Sequence, residues 1–258
     1  MEETNDIEVL RSFLEVPLYN SDAIFKRFLQ LPDREIIFRG TRPARFLYIG
    51  GQRTNRILLV AHADTVWDDP SSKNAGIKPE LLLSNGVFQS ANRIRGIGAD
   101  DRAGCAILWL LKDLGHSLLI TDGEEKGGIG SKWLMNDTEN ADIAEEINTE
   151  HQFMIQFDRR NGSDFKCYSV GTDEFRDYVR CMTNYTEPER FSYTDIVTLC
   201  KQITGVNLSV GYYKEHSRKE RLSINEWQNT LNICRRWLSA TDLPRFPLSH
   251  RARVVSPG

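Results

Sequence analysis

Apolar positions recur along this chain in two periods, and the alternation between them predicts its elements. Ile7, Leu10 and Leu14, then Ile24, Phe25, Phe28 and Leu29, keep helical spacing and predict two short helices within residues 7–32. Residues 35–39 and 46–49 are strand-like runs set among Gly and Pro. Residues 56–62 carry an unbroken apolar run from Ile57 to Ala61, as in a strand covered on both faces. Residues 67–79 read as a polar loop, and residues 80–89 as a hairpin turning at Asn85-Gly86. The sharpest helix signal spans residues 101–114, where Ala103, Ala106, Ile107, Leu110, Leu111 and Leu114 make one apolar face. Residues 117–121 and 153–157 predict two more buried strands, with helices over 130–136 and 137–148 between them. Helices near 172–182 and 193–203, a strand at 207–210 and a closing helix over 224–238 complete the pattern, and no internal repeat interrupts it. The stretch from Thr241 onward is rich in Pro and Arg and is expected to pack loosely.

Strands alternating with helices define the fold class: α/β, a three-layer α/β/α sandwich with a mostly parallel, mixed central sheet. In such sheets ligands bind at the carboxyl ends of the strands. Composition leaves room for this and removes much else. The chain has 258 residues, 40% of them hydrophobic and 27% charged, enough for one large core. Its 33 Lys and Arg against 36 Asp and Glu give a net charge of -3, so a nucleic-acid footprint is not expected. Mean hydropathy is -0.44, and no apolar run approaches the ~18 residues of a membrane helix. The acidic, polar start MEETNDIEVL is unlike a secretory signal. Five widely spaced cysteines disfavour both a disulfide framework and CxxC metal sites, and point to the cytoplasm.

The reactive residues fall where the fold predicts. The strand at 56–62 runs into His62-Ala63-Asp64, the strand at 117–121 into Asp122-Gly123-Glu124-Glu125, and the strand at 153–157 into Asp158-Arg159-Arg160. The strand at 207–210 precedes a loop with His216, and Gly98-Ala99-Asp100-Asp101 precedes the long helix. Singly, each has a structural alternative: Asp100 and Asp101 as helix N-caps, Glu124-Glu125 as a solvated acidic loop, Asp158-Arg159-Arg160 as a local ion pair. Together they converge on one sheet edge. Two zinc ions ~3.5–4 Å apart need two terminal His, two terminal carboxylates and one bridging carboxylate. His62, His216, Asp158, Glu125 and Asp100 supply that set. Glu124 is left over as a general base for water. Asp64, two residues after His62, is placed to accept from its second ring nitrogen and orient it.

At this point the chain resembles the co-catalytic di-zinc exopeptidases: zinc aminopeptidases, tripeptidases, glutamate-releasing carboxypeptidases, aminoacylases and related deacylases. The segments carrying the resemblance are LLVAHADTV (58–66), GIGADDRAGCAIL (96–108), ITDGEEKGGIGS (120–131), FDRR (157–160) and NLSVGYYKEHSRKERL (207–222), in the family's order. The resemblance implies His62 and Asp158 as terminal ligands of the first zinc, and Glu125 and His216 as those of the second. It implies Asp100 as the bridge, often followed by a cis peptide, with Glu124 and Asp64 catalytic. The implied cofactors are two divalent ions, zinc, with manganese or cobalt as alternatives. The implied reaction is exopeptidase hydrolysis of small peptides, with N-acyl amino acid deacylation as the alternative on the same site, and non-catalytic peptide binding as a third.

Only 38 positions separate His62 from Asp100 and 58 separate Asp158 from His216, so neither interval holds the extra domain of ~50 residues or more that relatives insert there. The chain therefore reads as one catalytic domain over 1–258, with residues 66–79, residues 161–192 or a second copy of the chain to close the site. Expected partners are a small peptide or N-acyl amino acid, with neither nucleic acid nor membrane. His116 and His151 are read as surface or locally bonded residues, His250 as outside the motifs, and Cys105 as core. Ser192-Tyr193-Thr194-Asp195 is read either as a substrate-side loop or as a helix N-cap. Arg159 and Arg160 either hold a substrate carboxylate or neutralise the acidic site. Arg251-Ala252-Arg253 carries no motif.

Overall fold

Alternate residues of the central strands face opposite layers. The computed structural model describes residues 2–69, 71–73, 76–189 and 192–248. The chain opens with helices α1 (Glu2–Leu14) and α2 (Asp22–Phe28), then the hairpin β1 (Ile36–Thr41) and β2 (Ala44–Ile49). Strand β3 (Leu58–His62) leads to a second hairpin, β4 (Leu81–Ser84) and β5 (Val87–Ser90). Then come α3 (Ala99–Leu111), β6 (Ser117–Thr121), α4 (Ile129–Asn136), α5 (Ala141–Thr149) and β7 (Met154–Arg159). The remaining elements are β8 (Phe165–Lys166), α6 (Asp173–Thr183), α7 (Asp195–Leu199), β9 (Gly205–Ser209), β10 (Tyr212–Tyr213), β11 (Arg221–Ser223) and α8 (Ile224–Leu238).

Seven strands form one sheet in the order β1-β2-β6-β3-β7-β9-β8. The inner four, β6, β3, β7 and β9, are parallel. The outer strands pair antiparallel. Leu59, Ala61, Leu118, Ile120, Ile155 and Phe157 pack on one side against residues of α1, α2, α3, α6 and α8, including Leu10, Phe25, Ile107, Phe175 and Trp227. Leu58, Val60, Leu119 and Met154 pack on the other against α4, α5 and α7 through Leu134, Ile147 and Ile196. This is the expected α/β/α sandwich with a mixed sheet. Each fully buried Leu, Ile or Phe in it contributes ~1.5–3 kcal/mol relative to exposure, which is why runs covered on both faces are the steadiest strands.

A second, four-stranded sheet, β10-β11-β5-β4, was not legible in the sequence beyond its β4–β5 hairpin. That hairpin turns where expected, with Asn85 and Gly86 both at positive φ, 50° and 72°. Asp100 and Asp101 interrupt the start of α3 with non-helical backbone, so its regular turns begin at Arg102, close to the expected start, and end at Leu111 in a 3-10 turn over Lys112–Leu114. Residues 137–148 split, because the Asp137 side chain accepts from the N–H of Glu139 and starts a 3-10 turn before α5. The helix expected over 193–203 is only Asp195–Leu199, since Cys200 turns extended.

Two expectations are corrected. The stretch after Thr241 is not loose as far as residue 248: Leu243 and Phe246 are buried, and Phe246 lies 5.0 Å from Phe175 and 4.9 Å from Tyr178 between ring centroids. Arg245 ties it to the carbonyls of Asn148, Thr149 and His151. His116 and His151 are buried, not superficial. His116 Nδ1 accepts from the N–H of Ile57 at 3.2 Å and Nε2 donates to the Leu238 carbonyl at 2.9 Å. His151 bonds Ser117 Oγ at 2.8 Å. Cys105 is buried as expected, its thiol donating to the His62 carbonyl at 3.2 Å. His250 and Arg251-Ala252-Arg253 lie outside the described residues.

Candidate active site

The carboxyl ends of three adjacent parallel strands deliver the first part of the site. His62 ends β3, the Asp122–Glu125 turn follows β6, and Asp158 lies near the end of β7. Asp100 enters from the start of α3. His216 sits in the turn joining β10 to β11, so the second sheet supplies it.

These five side chains converge. His62 Nε2 lies 3.1 Å from Asp100 Oδ1 and 3.5 Å from Asp158 Oδ1. His216 Nε2 lies 3.1 Å from Asp100 Oδ2 and 2.9 Å from Glu125 Oε2. Asp100 thus turns one oxygen to each histidine, and the five make two groups with donor atoms within 4.8 Å of one another, His62–Asp100–Asp158 and Asp100–Glu125–His216. The donor chemistry, one imidazole nitrogen and two carboxylates in each group, fits a divalent cation of the zinc type.

Supporting contacts fix each of these residues. His62 Nδ1 is committed to Asp64, 3.0 Å from its carbonyl and 3.4 Å from its carboxylate, so Nε2 is the nitrogen left facing inward. The backbone carbonyl shares the orienting role assigned to the Asp64 side chain. The two Asp64 carboxylate oxygens accept from the N–H groups of Glu124 and Glu125, both at 3.2 Å. Glu125 Oε1 accepts from the N–H of Val66 at 3.0 Å. Asp101 is the N-cap, its Oδ1 accepting from the Gly104 N–H at 2.9 Å, which frees Asp100 for the site. The peptide between Asp100 and Asp101 is cis, as the resemblance implies.

Four residues around the site lie in segments the sequence singled out but were given no role of their own there. Buried Glu220 accepts from the N–H groups of Ile97 and Gly98 at 2.8 Å and of Asp100 at 3.2 Å, cradling the turn that presents Asp100. Asn207 grips the backbone of Asp158 at both ends, at 2.9 and 2.7 Å, where β7 bulges against β9. Thr194 Oγ1 and Tyr212 OH donate to the two oxygens of Asp158 at 2.7 and 3.1 Å. Thr194 occupies the N-cap position of α7 but spends its hydroxyl on Asp158, so the Ser192–Asp195 segment belongs to the site. Buried Asp195 accepts from Ser131 Oγ at 2.5 Å and from Thr121 Oγ1.

The electrostatics follow from this crowding. Burial disfavours charge on His62, yet Asp158, Asp100 and Asp64 overcome it and raise its pKa. His216, bonded to Asp100 and Glu125, is raised to about 11. Burial alone would raise Asp100, but His216 and His62 hold it below the ordinary carboxylate range. Glu124 touches neither histidine, and burial followed by repulsion from Asp158 pushes its pKa well up. The cleft measures about 120 Å³ and is lined also by Arg159, Arg160, Tyr168, Ser192 and Tyr193.

Comparison with known proteins gives the fold an anchor. No protein-family model matches the chain, and no curated protein matches it. Solved structures do. The aminopeptidase PepT of Bacillus cereus superposes with a TM-score of 0.62 at 13% identity, covering 90% of this chain and 96% of that one. A tripeptidase of Staphylococcus aureus gives 0.61 at 13% identity, covering 92% and 99%. The TET1 peptidase of Pyrococcus horikoshii gives 0.59 at 15% identity, covering 88% and 97%. At these identities the likeness is one of fold, and at that level the resemblance to the co-catalytic zinc exopeptidases is borne out.

Proposed function

We propose that this chain is a metal-dependent exopeptidase that releases residues from short peptides. The observation that carries the reading is Asp100 facing His62 with one carboxylate oxygen and His216 with the other. We assign His62 and Asp158 to one divalent ion and Glu125 and His216 to a second, with Asp100 shared between them. Zinc is the assigned metal. Two such ions, when bound, lower the pKa of water toward neutrality and polarise a scissile carbonyl.

The chain's own residues supply the rest. Glu124 takes a proton from the attacking water on its carboxylate and returns it to the leaving amine. It lines the cleft beside the proposed ligands Glu125 and Asp158, where a carboxylate can hold a proton and then give it up. Asp64 keeps the His62 ring aimed and braces the turn carrying Glu124. Tyr212, Thr194 and Asn207 keep Asp158 from rotating away. The folds of PepT, the staphylococcal tripeptidase and TET1 support a peptidase. TET1 can assemble into a tetrahedron or a large octahedral shell, and a homo-oligomer is proposed here as one way to cover the cleft. The reading treats the described chain as one catalytic unit in the cytoplasm. No helix among the described residues is long and apolar enough to cross a membrane.

The test is metal content and turnover on one preparation. Protein loaded with Zn²⁺, Mn²⁺ or Co²⁺ is expected to hold up to two ions per chain and to cleave a peptide panel. A chelator removes the activity and metal restores it. Glu124→Gln should keep its metal and lose ~10²–10⁴-fold in turnover. A fully active Glu124→Gln variant, or a loaded protein with far less than one ion per chain, would sink the reading. N-acyl amino acids in the same panel separate a deacylase from a peptidase.

A further inference from the structure

Strand β7 should send Asp158 and Arg159 to opposite faces of the sheet, because successive side chains alternate. It does not. The register between β7 and β9 shifts between Gln156 and Arg159, and Asn207 replaces the missing ladder bonds at Asp158. Bulges of this kind re-aim side chains beside active sites. Both Asp158 and Arg159 therefore line the same cleft.

Arg159 is only 7% exposed, and its Nε is buried with no hydrogen-bond partner. Among the described residues its one ionic contact is a loose 3.9 Å approach of Nη2 to Asp164. Asp164 Oδ2 is meanwhile bonded by Asn161 Nδ2 at 2.7 Å. The neighbouring Arg160 differs: its Nη2 pairs with Glu215 at 2.7 Å and its side chain is 40% exposed. A buried Nε–H with no acceptor is costly unless something in the working state fills it. The planar guanidinium fork matches a carboxylate in two-point fashion.

We infer that Arg159 is a specificity residue that binds a carboxylate of the substrate in the cleft. This rests on the peptidase reading above and narrows its substrate class to peptides bearing a free carboxylate near the scissile bond. That carboxylate is either the chain terminus or an acidic side chain. The alternative, that Arg159 only neutralises the surrounding acids, predicts no preference between an acid and its amide.

The experiment uses matched pairs on the metal-loaded protein. The terminal arm compares Ala-Ala with Ala-Ala-amide, and Ala-Ala-Ala with its amide. The side-chain arm compares Ala-Asp-amide with Ala-Asn-amide. Turnover gives the ratio of kcat/KM within each pair. Calorimetry with a non-cleavable probe, Ala-Ala with its peptide bond reduced to CH₂–NH, as acid and as amide, gives the affinity ratio without turnover. The wild type should prefer the acid in one arm by roughly 10- to 100-fold, and Arg159→Met should remove most of that ratio. Arg159→Lys, which keeps the charge and loses the fork, should fall between them. Equal handling of acid and amide by the wild type in both arms overturns the inference, as does an Arg159→Met variant that keeps the preference. If Arg159→Met does not fold, the wild-type ratios and Arg159→Lys decide. Absence of all turnover with an intact calorimetric preference would count against the peptidase reading and leave Arg159 as a carboxylate site.

Discussion

The carboxylate of Asp64 accepts the backbone N–H of Glu124 at 3.2 Å, which couples the turn after β3 to the turn after β6. One side chain therefore aims His62, which is proposed to hold metal, and places Glu124, which is proposed to move the proton. Asp64→Ala should lower both metal affinity and turnover by ~10–100-fold, the usual cost of losing such a supporting contact. Metal titration followed by activity at saturating metal separates the two effects. A variant that recovers full kcat once metal is saturating would show that Asp64 serves His62 alone.

Glu220 supports Asp100 from the other side. All three of its hydrogen bonds are accepted from backbone N–H groups, and burial raises its pKa to about 7. A glutamine there must turn one N–H₂ group toward N–H donors. Glu220→Gln is expected to cost about 1–3 kcal/mol of stability and to weaken metal binding. Urea unfolding of the metal-free protein measures the first and competition with a chromogenic chelator the second. Unchanged values in both would remove Glu220 from the site.

Gly104 lies on α3 where an added Cβ would collide with the carbonyl oxygen of Phe157 and the carboxylate of Asp101. The first obstacle is backbone of β7 and cannot rotate away. Gly104→Ala should destabilise the fold by about 1–3 kcal/mol, as overpacking does. Because β7 carries Asp158, metal affinity should drop with it. A thermal melt unchanged from the wild type would contradict this packing.

Two buried histidines set an acid limit on stability. Burial lowers the pKa of His116 from 6.5 to about 4 and that of His151 to about 3. Between pH 6.5 and those values the unfolded chain binds protons that the folded chain refuses, so stability falls as pH falls. Each site contributes a slope of up to about 1.4 kcal/mol per pH unit in that window. Protonating His116 at Nδ1 would also remove the acceptor used by the Ile57 N–H. His116→Gln keeps an acceptor and a donor without titrating. Its unfolding free energy should fall less steeply than the wild type's between pH 6 and 5, and equal slopes would refute the assignment.

The layers and most of the candidate site were legible in the residues because their signals are local. Leu58 and Leu59 face opposite cores as a strand of period two requires, and His62, Glu125 and Asp158 follow strand ends where a parallel sheet exposes its ligands. His151 keeps the local bond expected of it, to the Glu146 carbonyl, but the burial of His116 and His151 was not legible, because burial of a turn residue depends on what folds over it, here α8 and Ser117. The stretch after Thr241 was misjudged for the same reason: Phe246 finds Phe175 and Tyr178 only in the folded chain.

The sequence by itself determined the sandwich and the residue types of the site, since hydrophobic period and residue chemistry are properties of a few consecutive positions. Only the tertiary structure decided how those residues are held. Glu220 reaches the Asp100 turn across 120 positions, Asn207 makes the bulge that turns Arg159 into the cleft, and a second sheet carries His216. Such contacts leave no local period, because each forms only when distant segments are brought together by the burial of apolar surface elsewhere.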